Sequence, residues 1–167
     1  ISVKFEFYDK TYPGLQLHAN SIKREIATVP KTSFRLNPVI SNPADANIRK
    51  RISTGQNFDI TTEIIHNGAE YFRNDSFVVQ LEKLPDNFTY PEGESSDPVR
   101  VVKAKSVLNG IYPTWSFTAD EEKPVTPTEF VFQFVEAARD TNSEDPGEIT
   151  NKESRIQITT VDKAQVE

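Results

Sequence analysis

Apolar side chains recur at every second position along much of this chain. Val3, Phe5 and Phe7 alternate with Ser2, Lys4 and Glu6, and Phe58 and Ile60 with Asp59 and Thr61. Phe77, Val79 and Leu81 alternate with Val78, Gln80 and Glu82, and Ile156 and Ile158 with Arg155, Gln157 and Thr159. Successive strand residues point to opposite faces, so each run offers one row of side chains to a core. Phe130, Phe132 and Phe134 form the most apolar run, interrupted only at Gln133, which suits a strand with neighbours on both sides. Further strands are expected near Ile22–Val29, Ser33–Leu36, Ile48–Ile52, Val99–Lys105 and Thr114–Thr118. Glu136–Arg139 is the one hint of helix.

The punctuation agrees with strands. All 6 Gly fall between the runs, and Asn67-Gly68 and Asn109-Gly110 are turn dipeptides. The 11 Pro sit in expected connections, at Pro38, Pro43, Pro85, Pro91, Pro98, Pro124 and Pro127 among others. Proline cannot donate to a ladder and stays out of central strands. Short strands with Gly/Pro turns predict an all-β fold, an immunoglobulin-like antiparallel β-sandwich of about seven to nine strands. With 167 residues the chain buries a core without staples. Two polar stretches, Pro91–Pro98 and Asp140–Gly147, are expected to be mobile loops. A Pro/Asn-rich link at Asn37–Ala46 predicts a boundary, with 1–47 as accessory strands or the end of a preceding module and 48–167 as the sandwich.

Several function classes are disfavoured. A net charge of -6 argues against nucleic acid or an anionic membrane surface as partner. The absence of Cys removes disulfides, thiolate metal sites and cysteine nucleophiles. No apolar run has membrane-spanning length. Gly-rich phosphate loops and Gly-x-Ser-x-Gly elbows are missing. His18 and His66, the only histidines, have no assignable partners for a triad or metal site.

Three stretches of residues 48–161 carry a family resemblance. Gly55–Gly68 has a glycine, an alternating strand and an Asn-Gly turn. Phe77–Tyr90 has a strand followed by Leu84-Pro85, Phe88 and Tyr90, and Pro146–Asn151 has a glycine leading into a closing strand. In this order they resemble the conserved-repeat (DUF11-type) domain of bacterial and archaeal surface proteins. Asn87 stands where that family usually has Gly, and Lys152 to Ser154 replace its small residues. The middle stretch is also similar to the calf domains of integrin α chains. The resemblance implies an immunoglobulin-like sandwich in a secreted, wall-attached or envelope-layer protein, with no catalysis.

Four sets of residues are candidates for chemistry or contact. Lys50 shares a strand phase with Ile48 and Ile52, where a buried ammonium is costly. Such a lysine either snorkels outward or joins an Asn side chain by an amide bond, here Asn151, with Glu63 or Asp59 as the proton-shuttling acid. Asp140, Asn142, Asp145 and Glu148 form an oxygen-rich stretch that reads as a solvated loop or as a calcium site, the only cofactor the sequence suggests. Asn74 and Asn87 head N-glycosylation sequons. Val3, Phe5 and Phe7 make a terminal strand able to pair with a neighbour's sheet edge. The basic triplet Arg49-Lys50-Arg51 would be split between two strand faces.

The expected function is a non-catalytic structural or adhesive module of a cell-surface, pilus-like or surface-layer protein, located outside the cell. Its partners would be neighbouring domains or copies of the same protein, or host or cell-wall glycans. The alternative is an accessory carbohydrate-binding module of a larger secreted protein. Tyr71, Phe72, Tyr90, Tyr112 and Trp115 would supply its aromatic platform.

Overall fold

The computed structural model describes residues 33–67, 76–120, 127–138 and 148–163. In chain order the elements are β1 (Ser33–Asn42), α1 (Ala46–Arg49), β2 (Arg51–Ser53), β3 (Asn57–Asn67), β4 (Ser76–Leu81) and β5 (Phe88–Thr89). They continue with β6 (Val99–Lys103), α2 (Ala104–Leu108), β7 (Thr114–Ala119), β8 (Thr128–Ala138), β9 (Glu148–Asn151) and β10 (Glu153–Val161). The strands form two five-stranded sheets, ordered β5-β7-β3-β1-β9 and β2-β10-β8-β4-β6. This is the expected β-sandwich. Ten strands are described, several of them very short, and two edge pairings, β1 with β9 and β10 with β2, are parallel.

Alternation decides what lies between the sheets. Phe34, Leu36 and Ile40 of β1, Phe58, Ile60 and Ile64 of β3, and Trp115 and Phe117 of β7 are buried on the first sheet. Phe77, Val79 and Leu81 of β4, Phe130, Phe132 and Phe134 of β8, and Ile156 and Ile158 of β10 are buried on the second. The Phe130 ring lies 4.9 Å from Phe88, 5.1 Å from Phe117 and 6.1 Å from Phe58, so one side chain of the second sheet is held by three of the first. Phe34 against Phe77 (4.8 Å) and Trp115 against Phe132 (5.0 Å) continue the same layer. These edge-on and tilted contacts suit the ring quadrupole. The alternating run at β8 is a central strand, as its composition predicts, between β10 and β4. Among the described residues two polar side chains share this interior: Thr62 and Thr160 are buried, and neither hydroxyl has a hydrogen-bond partner.

Several local expectations are corrected. The sandwich does not begin near residue 48, because β1 pairs antiparallel with β3 along its length and parallel with β9 at its start. Pro38 lies inside β1 rather than in a connection. Its partner Thr62 donates its N–H to Pro113 O (2.9 Å), away from β1, so Pro38 N faces the opposite side. There β9 pairs only with Ser33, Phe34 and Arg35, so the missing N–H removes no ladder bond. The strand expected at Ile48–Ile52 is α1 followed by the short β2. Ala46, Asn47 and Ile48 donate to Pro43, Ala44 and Asp45, and a left-handed Lys50 (φ 52) closes the helix on Ala46 O at 2.7 Å. The strand expected to reach Lys105 stops at Lys103 and gives way to α2. Asn109-Gly110 ends that helix instead of turning a hairpin: Ile111 N bonds Ser106 O (2.9 Å), Gly110 N bonds Val107 O (2.9 Å), and Gly110 takes φ +75. That pair of bonds with a left-handed glycine is a Schellman cap. Glu136–Ala138 continues β8 and is not helical.

Candidate functional site

Among the described strands β6 is the outer one of the second sheet, paired on one side with β4. Its register aligns Phe77 with Val102 and Val79 with Arg100, and Leu81 N donates to Pro98 O at 2.9 Å. In an antiparallel ladder the hydrogen-bonded pairs alternate, so Pro98, Arg100 and Val102 turn their backbone polar groups toward β4. Val99, Val101 and Lys103 turn theirs outward. Asp97 Oδ1 already accepts the Val99 N–H (2.8 Å). The Val101 amide and carbonyl are left facing away from the sheet.

The side chains follow the same alternation. Val102 is buried, whereas Val101 is 67% exposed. Val101 lies opposite Val78 of β4. A bulge in the β4–β8 pairing sets Val78 against Glu136 and Val79 against Phe134, so the skipped Val135 turns outward at 48% exposure. Beside the edge, Val101 and Val78 are therefore an apolar pair, flanked along the strands by Ser76 with Lys103 and by Gln80 with Val99.

Arg100 holds the approach to this edge. Its guanidinium donates to Asp97 O (2.5 Å), Ser95 O (3.2 Å) and Val99 O (3.2 Å), and its Nε to Thr114 O (3.4 Å). It lies 5.6 Å from the centroid of the Trp115 ring, whose Nε1 donates to Pro98 O (3.3 Å). The stretch Pro91–Pro98, expected to be mobile, is instead tied by one side chain to β7 of the opposite sheet. A planar five-donor fork is the group suited to collecting several carbonyls at once. Tyr90, at the loop's start, packs on Phe117 at 5.7 Å. Burial raises its hydroxyl pKa above the ordinary 10.0, Arg100 opposing and Asp97 adding to the shift.

The residues singled out from sequence fare differently. Lys50 is on no strand, so the inward phase that motivated a crosslink is absent. Its Nζ donates to Asn47 Oδ1, and partial burial lowers its pKa. Glu63 instead accepts from Asn37 Nδ2 at 2.7 Å on the outer phase of β3, and Asp59 accepts from Asn42 Nδ2 at 3.2 Å. Asn151 ends β9 opposite Arg35, and its side chain lies outside the description. Arg49 and Arg51 line an open groove of about 500 Å³ with Asp45, Ile48, Ser53 and Gln56, and do not lie on two faces of one strand. Val3, Phe5, Phe7, Asn74, Asp140, Asn142 and Asp145 lie outside the described residues, as does the Glu148 side chain. Asn87 is half-buried, and its carbonyl accepts from Asp120 N (3.1 Å).

Among the described residues no group of three or more His, Cys, Asp or Glu is placed to hold a metal ion. No described helix is long and apolar enough to cross a membrane. The aromatic platform loses its tryptophan: Trp115 is 1% exposed, while Tyr90 and Tyr112 are partly buried against the core. A ring stacked inside cannot stack on a sugar, and Tyr71 and Phe72 lie outside the described residues. Sequence reading missed Arg100 and Asp97. The available signal was a lone arginine among valines, one residue beyond an Asp-Pro pair.

No protein-family model matches this chain, and no curated protein does. The resemblance to conserved-repeat domains therefore rests on its three motifs. Among solved structures, the chain is similar to one in a type I cohesin–dockerin complex of Clostridium thermocellum. That match has 11% identity and a TM-score of 0.39, covering 79% of this chain and 100% of the other. It is also similar to a cohesin module from a family 33 glycoside hydrolase of Clostridium perfringens. There the identity is 11% and the TM-score 0.36, with 82% of this chain and 100% of the other covered. On its own strand pairing, the described chain is an all-β sandwich of two facing sheets.

Proposed function

We propose that this chain is a non-catalytic structural or adhesive module at a cell surface, joined to neighbouring domains or copies of the same protein through the β6 edge. The observation that carries this reading is Val101, whose amide and carbonyl face away from β4 while its side chain, opposite Val78, is 67% exposed. An edge strand with outward polar backbone and apolar side chains accepts a strand from another chain.

Val101→Pro tests it. Proline deletes the outward N–H but leaves the ladder to β4, which does not use that group. With the full-length protein expressed in its native cell, the wild type is expected to be labelled by a membrane-impermeant reagent and to stay with the envelope. The variant is expected to be released into the medium at least about tenfold more, as loss of one contact worth about 1.4 kcal/mol implies. Equal retention of the two would overturn the reading.

A further inference from the structure

We propose that the strand received by β6 is β6 of a second copy, antiparallel, with a two-fold axis at Val101. This rests on the reading of β6 as a docking edge and names its occupant. Three features of the edge point to it.

The first is hydrogen-bond parity. Outward backbone groups lie at Val99, Val101 and Lys103, and with those of Val99 engaged by Asp97 and Arg100, Val101 is the centre of the edge. Pairing about Val101 sets it against itself, with each N–H donating to the other's carbonyl. Lys103 then stands across from Val99 of the other copy. Val99 N–H and Val99 O are already held by Asp97 and Arg100, so that pair stays unbonded and the ladder across the axis is the reciprocal pair of bonds at Val101. An isologous contact requires a surface complementary to itself, and this register supplies one.

The second is charge. Exposed Glu92, Glu94 and Asp97 precede β6, and exposed Lys103 and Lys105 end it or follow it. An antiparallel two-fold brings the acidic approach of each copy to the basic end of the other. A parallel pairing would set like charge against like. The third is the outer face. Val78 and Val101 lie opposite each other beside the edge, and the axis sets that pair against its copy, making a row of four valines across the joined strands.

The chain has no Cys, so single cysteines report the geometry cleanly. Across the axis the two residues at position 101 would have Cα atoms about 5.5 Å apart, within disulfide range. Position 135 is two strands further in on each copy, so its two Cα atoms would be roughly 24 Å apart. Full-length Val101→Cys in oxidised glutathione is expected to form a covalent dimer at least tenfold faster than Val135→Cys. Sedimentation of the wild type should show a dimer that weakens with salt. Lys103→Glu with Lys105→Glu, and separately Glu92→Lys with Glu94→Lys, should each lower self-association about tenfold, and mixing the two variants should restore it. Equal crosslinking at 101 and 135, together with a monomeric wild type at high concentration, would overturn the two-fold. If Val101→Pro still releases the protein from the envelope in that case, the docking edge stands with a different chain as occupant. If retention is unchanged, the edge itself is refuted.

Discussion

Thr62 and Thr160 each bury a hydroxyl that finds no partner inside the sandwich. A buried donor left unmade carries a desolvation cost, so the isosteric Thr62→Val and Thr160→Val should each stabilise the fold by about 1 kcal/mol. Urea unfolding measures this, and a lowered midpoint would show that the hydroxyls are satisfied. Tyr90 sets a pH dependence. Its hydroxyl pKa is raised by burial, so the unfolded chain ionises first. The stability it contributes is complete below the unfolded value of about 10 and is lost as pH rises through the folded value. The melting temperature of the wild type should therefore fall more steeply above about pH 10 than that of Tyr90→Phe. Parallel slopes would remove Tyr90 as the cause. At this scale sequence reading misplaced Lys50 and Trp115. Lys50 is misplaced because its backbone is a helix end and not a strand, whereas Trp115 sits on the expected strand and only the face it turns to the core is unreadable locally.

Most of the longer strands were legible because alternation is a local property. β3, β4, β7, β8 and β10 fall on the expected runs. α1 did not, since Ile48 and Ile52 lie four residues apart and that spacing fits helix and strand equally. The hydrogen bonds to Pro43, Ala44 and Asp45 select the helix and leave Ile48 87% exposed. The parity of β6 gives a prediction at this scale. Val101→Pro should cost less than about 1 kcal/mol, because its N–H is not in the ladder. Val102→Pro, which removes the bond to Phe77 and a buried side chain, should cost about 3 kcal/mol or more. Similar costs at the two positions would reverse the assigned hydrogen-bonding side and with it the docking edge.

Across the whole molecule, Arg100 links a strand of one sheet to a strand of the other. It does so through Thr114 O, the ring face of Trp115 and the carbonyls of the 91–98 stretch. Arg100→Met should lower stability by about 1–3 kcal/mol. It should also shift the emission of the chain's 1 Trp to longer wavelength, as Pro98 loosens over the indole. Arg100→Lys should not rescue either effect, because an ammonium lacks the fork. Full rescue by Lys would reduce the latch to charge alone.

Alternation, turn residues and the abundance of phenylalanine determined from the sequence alone that this chain folds into facing sheets with an aromatic core, because each acts over a few neighbouring residues. Tertiary structure decided that β1 belongs inside the sandwich, that Trp115 lies within the core, that Arg100 lands on it and that β6 is the outer one of the described strands in its sheet. Each of those outcomes is set by strands distant in sequence, such as the 17 residues that separate Trp115 from the Pro98 carbonyl it bonds. No local pattern encodes which of two equally apolar strands becomes the edge.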